Sequence, residues 1–316
     1  MYHSGSLLDA IGNTPLVELK RLTRGLPGRV MVKLEYYNPG GSIKDRVALR
    51  IIEDAEKAGL LKPGDTVVEL TSGNMGIGLA IVCAIKGYRM VAVMSEGNSP
   101  ERRRMLRAFG AQVELVPQVG GPRPGQVSRE DLEMVEKRTQ ELIEELGAYR
   151  PDQFRNPSSV YAHEYGTGEE IWRQTRGKVD IFVAMIGTGG TFIGTTKALK
   201  KHKPAVRCIA AEPANAPYLA GGKITTTRHK IQGVGYALTP PLWEPELCDG
   251  FITATDDEAI ETARRLAAEE GIFGGFSTGA NVACALKLAR EAKPGEVVVT
   301  VAPDTGLKYL STDLYP

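Results

Sequence analysis

Ile181-Phe-Val-Ala-Met-Ile186 runs straight into Gly187-Thr-Gly-Gly-Thr191 and then into Phe192–Lys200, and this stretch decides the fold. An apolar run with no alternating polar positions fits a strand covered on both faces, as in parallel sheets. The helical pattern of Phe192–Lys200 follows at once, so the glycines form a strand-to-helix turn. At such a turn glycine lets backbone approach a ligand, and the N–H groups of the helix start attract anions. Gly187–Thr191 adds two threonine hydroxyls, so it reads as a phosphate cradle or simply as a glycine-rich turn. It is not a Walker A loop, since no Gly-Lys-Ser/Thr follows, and not GxGxxG, since position 192 is phenylalanine.

The same alternation extends in both directions. Strand signals lie at Arg29–Leu34, Thr66–Leu70, Met90–Met94, Val113–Val116, Val179–Ile186, Val206–Ala211, Gly250–Ala254 and Glu296–Val301. Helix signals lie at Asp45–Leu60, Met75–Ile85, Arg102–Phe109, Ser128–Leu146, Phe192–Lys200, Asp257–Glu270 and Ala280–Ala292. Ser99-Pro100 reads as a cap followed by a first-turn proline, and Ser128-Arg-Glu-Asp131 as a capping box. Short apolar strands between helices predict an α/β protein of doubly wound, mostly parallel sheets. A domain boundary is expected near Gly147–Pro151. Pro117–Gln126, with three glycines or prolines in every five residues or so and no periodicity, reads as a surface loop or a lid.

Glycine makes up 36 of the 316 residues, and 14 of them fall in five clusters. These are Gly40/Gly41, Gly73/Gly76/Gly78, Gly187/Gly189/Gly190/Gly194, Gly233/Gly235 and Gly274/Gly275/Gly279. In open α/β sheets, ligands bind at the carboxyl ends of strands, where such loops lie. In Asn38-Pro-Gly-Gly-Ser-Ile-Lys-Asp-Arg46, Lys44 stands at a helix start. There the helix dipole and burial both favour the neutral amine, a Schiff-base nucleophile or general base; a solvated lysine is the other reading. In Thr71-Ser-Gly-Asn-Met-Gly-Ile77, the hydroxyls of Thr71 and Ser72 and the amide of Asn74 suit a carboxylate, or serve only as helix caps.

Composition narrows the function classes. With 39 basic and 38 acidic residues the chain lacks the charge excess of a nucleic-acid or anionic-membrane binder. Met1–Gly12 shows no basic stretch followed by an apolar run, so no signal peptide is expected, and the apolar runs fall short of a bilayer span of about 20 residues. Cys83, Cys208, Cys248 and Cys284 are too scattered for a zinc site or disulfide framework and read as small buried hydrophobes. His3, His163, His202 and His229 show no metal spacing. A cytoplasmic location is the expectation.

Taken in order, these motifs resemble the fold-type II pyridoxal-phosphate enzymes, within them the cysteine synthase (O-acetylserine sulfhydrylase) and cystathionine β-synthase group. The resemblance runs from Ile11-Gly-Asn-Thr-Pro-Leu-Val17 through Asn38–Arg46, Thr71–Gly76, Gln153-Phe-Arg-Asn-Pro157 and Thr167-Gly-Glu-Glu-Ile-Trp172. It continues through Gly187–Thr191, His229-Lys-Ile-Gln-Gly-Val-Gly235, Gly275-Phe-Ser-Thr-Gly279, Pro303-Asp-Thr-Gly306 and Tyr309-Leu-Ser-Thr312.

The resemblance implies a tryptophan-synthase-β-like fold: a larger cofactor-phosphate domain of residues 1–39 and 148–316, and a smaller mobile carboxylate domain of residues 40–147. It implies pyridoxal 5'-phosphate, with Lys44 as Schiff-base lysine, Asn74 on the 3-hydroxyl, Ser277 facing the pyridine nitrogen, and Gly187, Thr188, Gly189, Gly190 and Thr191 on the phosphate. Thr71, Ser72, Gly73, Met75, Gln153 and Gly233 would bind the amino-acid substrate, and no metal is expected. The implied reaction is β-replacement through an aminoacrylate, O-acetylserine and sulfide giving cysteine and acetate. β-Cyanoalanine synthase, cystathionine β-synthase or another donor–nucleophile pair is the alternative. A homodimer, and serine acetyltransferase as a partner, belong to the same expectation. Met75 stands where cysteine synthases usually have threonine, Phe276 where a smaller aliphatic is common, and Pro117–Gln126 is long for the group.

Overall fold

The computed structural model describes residues 5–122 and 127–315. In chain order the strands are β1 (Leu16–Glu18), β2 (Arg29–Leu34), β3 (Thr66–Leu70), β4 (Arg89–Ser95), β5 (Gln112–Val116), β6 (Ile181–Met185), β7 (Arg207–Pro213), β8 (Gly250–Ala254) and β9 (Val297–Ala302). The helices are α1 (Lys44–Lys57), α2 (Asn74–Lys86), α3 (Pro100–Ala108), α4 (Arg129–Leu146), α5 (Ser158–Ala162), α6 (Glu169–Gln174), α7 (Gly190–His202), α8 (Asp256–Arg265) and α9 (Phe276–Glu291). A π-helical turn, His163–Gly168, joins α5 to α6, and a second, Leu266–Glu270, ends the segment expected as one helix to Glu270.

The chain divides into two compact units, Met1–Ile11 with Lys44–Ser158, and Gly12–Ile43 with Ser159–Pro316. The first holds a parallel sheet of order β3-β4-β5. The chain leaves this unit after Ser158 rather than near Gly147–Pro151. The reason is that Tyr149 extends the sheet: its N–H donates to Thr66 and its carbonyl accepts from Val68. The second unit holds a sheet of order β1-β2-β9-β6-β7-β8, parallel except for β1 against β2. Its inner strands β6 and β9 are buried throughout, because apolar clusters cover both faces of this sheet.

Two local features set the second unit's geometry. Lys33, fully buried in β2, donates to the carbonyl of Thr14 at 2.5 Å and to Gln174 at 2.8 Å, and pairs with Glu170 at 2.6 Å. Glu35 accepts from Thr14 and Asn38, so the Ile11–Val17 motif is anchored by a satisfied buried network. The strands β6 and β9 pair only through Ile181–Val298 and Phe182–Val299. Beyond that, side chains span the opening: Thr300 donates to the carbonyl of Val183, and Asn281 accepts from the Met185 N–H and donates to the Val301 carbonyl. Strand order reverses here, with β7 to one side of β6 and β9 to the other, and ligands of open α/β sheets bind at such switch points.

The helix α9 starts at Phe276 rather than Ala280, with Gly279 inside it. A Cβ at Gly279 would lie 1.9 Å from the carbonyl oxygen of Ala259, so glycine is what lets α9 pack on α8. Phe276 is buried with Ala263, Tyr309 and Leu314. Among the described residues no helix is long and apolar enough to cross a membrane, and no His/Cys/Asp/Glu group could hold a metal. The cysteines are free; Cys83, Cys208 and Cys284 are buried as expected, whereas Cys248 is half-buried. Gly279→Ala is expected to destabilise the protein by about 3 kcal/mol, the upper range for overpacking, in urea unfolding followed by circular dichroism. A change within about 0.5 kcal/mol, the level of an ordinary surface substitution, would contradict the close approach.

Candidate functional site

In the first unit, Lys44 opens α1 and its neighbours Asp45 and Arg46 are buried. The packing partner is the N-terminal part of α2. A Cβ at Gly78 would lie 3.0 Å from the Lys44 carbonyl oxygen and 3.1 Å from the Ala48 Cβ, tighter than ordinary contact, so glycine allows this approach without displacing its neighbours. Two positive helix ends therefore lie side by side around Lys44, where a cation is disfavoured. Burial pushes the Lys44 amine from 10.5 down to about 8, far enough for a substantial neutral fraction near neutral pH.

The loop before α2 begins at the carboxyl end of β3. Thr71 is buried, its N–H bonded to the Val93 carbonyl, and its side chain fills the space beside Gly76. Ser72 accepts a long bond, 3.4 Å, from the Arg102 guanidinium. Gly73 is the N-cap of α2 and supplies no side chain to cap it; Asn74 is the first helical residue and Met75, second, is buried. Nothing lies within 4 Å of where a Gly73 Cβ would stand, so the loop has open space there. Gln153 belongs to the same unit, one residue beyond Asp152, whose backbone is left-handed at φ 43°.

In the second unit, Gly187–Thr191 joins β6 to α7 at the switch point. Gly189 caps α7 in the left-handed region, φ 88°, and again no side chain caps the helix. Lysines and a histidine occupy its last turn, Lys200, Lys201 and His202, which leaves the dipole's positive end for a ligand. Gly187 must be glycine, since its Cβ would fall 2.4 Å from the Gly233 carbonyl oxygen. The hydroxyl of Thr191 lies 3.2 Å from Nε2 of buried His163, whose Nδ1 is 2.9 Å from Thr167. His229 reaches the Gly235 carbonyl at 3.2 Å and so orders the Gly233–Gly235 loop.

Ser277 lies in the first turn of α9, the third helix to start on a glycine, Gly275, without a side-chain cap. Asp304, buried beside that start, accepts from the Tyr309 hydroxyl at 2.7 Å. Of the expected site residues, Lys44, Thr71–Met75 and Gln153 share the first unit, and Gly187–Thr191, Gly233 and Ser277 share the second. The second unit fits a phosphate ligand chemically: uncapped N–H donors, two threonine hydroxyls and a backbone too crowded at Gly187 for any side chain.

Two polar residues escaped the sequence reading. Asn281 is the one polar residue in Ala280-Asn-Val-Ala-Cys-Ala-Leu286, and Glu69 is the one acid in Thr66-Val-Val-Glu-Leu70; each interrupts an otherwise buried run, which was the available signal. Glu69 is buried, which pushes its carboxyl up to about 7 against the lowering effect of the nearby Arg150 charge.

Residues 7–304 match the family described as pyridoxal-phosphate dependent enzyme. A cysteine synthase of Staphylococcus aureus is 46% identical over 311 residues, covering 98% of this chain and 96% of its own. Among solved structures, O-ureido-L-serine synthase aligns with a TM-score of 0.89 at 44% identity, over 99% of this chain and 95% of that one. O-Acetylserine sulfhydrylase isoform 3 of Entamoeba histolytica aligns with a TM-score of 0.90 at 38% identity, over 99% and 92%.

Competitive acetylation of the unliganded protein, resolved by peptide mass spectrometry, is expected to show Lys44 gaining reactivity through about pH 8, well before the surface lysines. The amine loses its proton as pH rises through that value, so labelling must rise, not fall. A Lys44 that titrates with the surface lysines would contradict the packing of α1 on α2 as its cause.

Proposed function

This chain belongs to the pyridoxal-phosphate dependent enzymes, and on that premise we propose that it is a cysteine synthase, exchanging the acetoxy group of O-acetylserine for sulfide to give cysteine and acetate. The observation that carries this reading is a lysine amine held near pKa 8 at a helix start, in a chain whose curated relative at 46% identity is a cysteine synthase. The cysteine synthase and O-acetylserine sulfhydrylase named above support sulfide over the cyanide and homocysteine alternatives.

The residues divide by role. Lys44 Nζ is the amine that would hold the cofactor aldehyde and, when free, the base that takes the substrate Cα proton. Gly187, Thr188, Gly189, Gly190 and Thr191 hold the phosphate through N–H groups and hydroxyls, and Asn74 bonds the 3-hydroxyl oxygen. Thr71, Ser72, Gly73 and Gln153 hold the substrate carboxylate at the uncapped start of α2, with Met75 and Gly233 bounding the substrate. When bound, pyridoxal phosphate supplies the electron sink that acidifies the Cα proton. Ser277 is the residue that would face the ring nitrogen, with a neutral hydroxyl that would make the group a weaker electron sink than an acid there. Lys44 keeps the abstracted proton while acetate leaves and returns it to Cα after sulfide has added to Cβ. Withholding water from the substrate falls to the same loop, Thr71–Gly76, closing on the carboxylate.

In this proposal the unit containing Lys44–Ser158 binds substrate carboxylate and the other binds phosphate. The same reading carries a homodimer, a cytoplasmic location and serine acetyltransferase as a partner, supported by likeness to the cysteine synthases.

The purified protein is expected to be yellow and to make cysteine from O-acetylserine and sulfide. Lys44→Ala should abolish the borohydride-trapped adduct and lower turnover at least about a thousandfold. Colourless wild-type protein that pyridoxal phosphate cannot reconstitute would refute the proposal. In an acceptor panel, Met75→Thr, which restores a hydroxyl beside the carboxylate loop, should raise the preference for sulfide over cyanide. An unchanged preference would remove Met75 as a selector.

A further inference from the structure

Glu69 is the penultimate residue of β3, and its two carboxylate oxygens face two different stretches of backbone. Oε1 accepts from the Leu70 N–H at 2.9 Å, directly before Thr71. Oε2 accepts from the Asp152 N–H at 2.7 Å, directly before Gln153. Asp152 adopts a left-handed backbone that a non-glycine residue takes only when its surroundings hold it there. The other side of that turn is tied down as well, since the Asp152 carbonyl accepts from Arg155 at 3.1 Å and Asn156 at 2.9 Å. Thus one buried side chain, on the penultimate residue of β3, bonds the adjacent Leu70 N–H and the distant Asp152 N–H, each directly before a proposed carboxylate ligand. We infer that Glu69 is a positioning residue for the substrate carboxylate, fixing Thr71 and Gln153 relative to one another through the Leu70 and Asp152 N–H groups. The inference rests on the assignment of Thr71 and Gln153 as carboxylate ligands.

The chemistry calls for an ionised acid. A carboxylate offers acceptors on both oxygens, whereas glutamine or a protonated acid turns a donor toward one of the two N–H groups. The charges facing Glu69 are Arg150, whose Nε lies 3.8 Å from Oε1, and the Asp152 carboxylate, with the Tyr149 phenol close by; Arg150 is itself held by Glu136. Arg150 favours the ionised form, while burial and Asp152 oppose it, leaving a carboxyl that titrates around 7. As pH rises through that value Glu69 loses its proton and can accept both bonds. As pH falls below it, one grip is lost.

The test uses holoenzyme and glycine, an α-amino acid with no leaving group, its dissociation constant read from the absorbance of the bound cofactor. At pH 8, Glu69→Gln is expected to weaken glycine binding about tenfold, the scale of one hydrogen bond to a charged group. It should raise KM for O-acetylserine similarly, with kcat changed less than about threefold and cofactor content unchanged. The variant-to-wild-type ratio of dissociation constants should shrink toward one at pH 6, where wild-type Glu69 is protonated too. A merely structural role would give a ratio independent of pH. Gln153→Ala is the control: if it leaves glycine binding unchanged, the carboxylate assignment itself fails. If Gln153→Ala weakens binding while Glu69→Gln does not, or does so equally at every pH, the role of Glu69 is refuted. Should Glu69→Gln fail to fold, the wild-type pH profile decides, since glycine affinity without a step near pH 7 overturns the inference.

Discussion

Three helices begin directly after a loop glycine that leaves their first N–H groups without a side-chain cap, and much of the chain is arranged around that. α2 follows Gly73, α7 follows Gly189 and α9 follows Gly275. By contrast α4 and α8 begin with complete capping boxes, Ser128 with Asp131 and Thr255 with Glu258. A capping side chain satisfies the orphan donors and occupies the position an anion would take. Glycine leaves both the donors and the space, and the helix dipole then favours negative charge there. The three glycine-started helices coincide with the proposed carboxylate, phosphate and ring-nitrogen contacts, whereas α4 and α8 are capped by their own residues; α3 at Ser99, and α6, which continues from the π-helical turn at Gly168, carry no side-chain cap and no proposed ligand.

Such helix starts are useful only if backbone is held firmly around them. In the first unit, the missing Cβ of Gly78 brings α2 against the Lys44 carbonyl, which ties the lysine's surroundings to the same helix that would receive a carboxylate. In the second, β6 and β9 part after the Ile181–Val298 and Phe182–Val299 pairs, and Thr300 and Asn281 carry hydrogen bonds across the opening that the sheet ladder no longer makes. Asn281 satisfies a buried N–H and a buried carbonyl that would each cost about 1–3 kcal/mol if left unpaired. It sits one turn beyond Ser277 on α9, so the helix that carries Ser277 is itself bonded across the split.

The parallel strands were legible because β6 and β9 carry unbroken apolar runs, and α4 because Ser128–Asp131 is a local signal that the structure reproduces as a capping box. Local signals failed where tertiary packing overrode them. Gly275–Gly279 reads as loop from propensity, yet α9 begins inside it because Gly279 allows the approach to α8. Ser99 stands at the cap position of α3 but makes no capping bond with its side chain. The α5–α6 segment, broken by a π-helical turn, had no recognised pattern. The glycine loops and Lys44 were legible from short motifs, whereas Glu69 joins residues 83 positions apart, a pairing no local reading can supply. Of Pro117–Gln126, residues 123–126 lie outside the described residues; Val119 before them is tied to Asp131 at 2.8 Å.

A structure of the borohydride-reduced holoenzyme tests the central claim most directly, that uncapped glycine-started helices receive the anionic groups of the reaction. The account predicts a pyridoxyl group bonded to Lys44 Nζ with its phosphate within hydrogen-bond distance of the N–H groups of Gly187–Thr191. A phosphate held elsewhere, or a label on a different lysine, would contradict it.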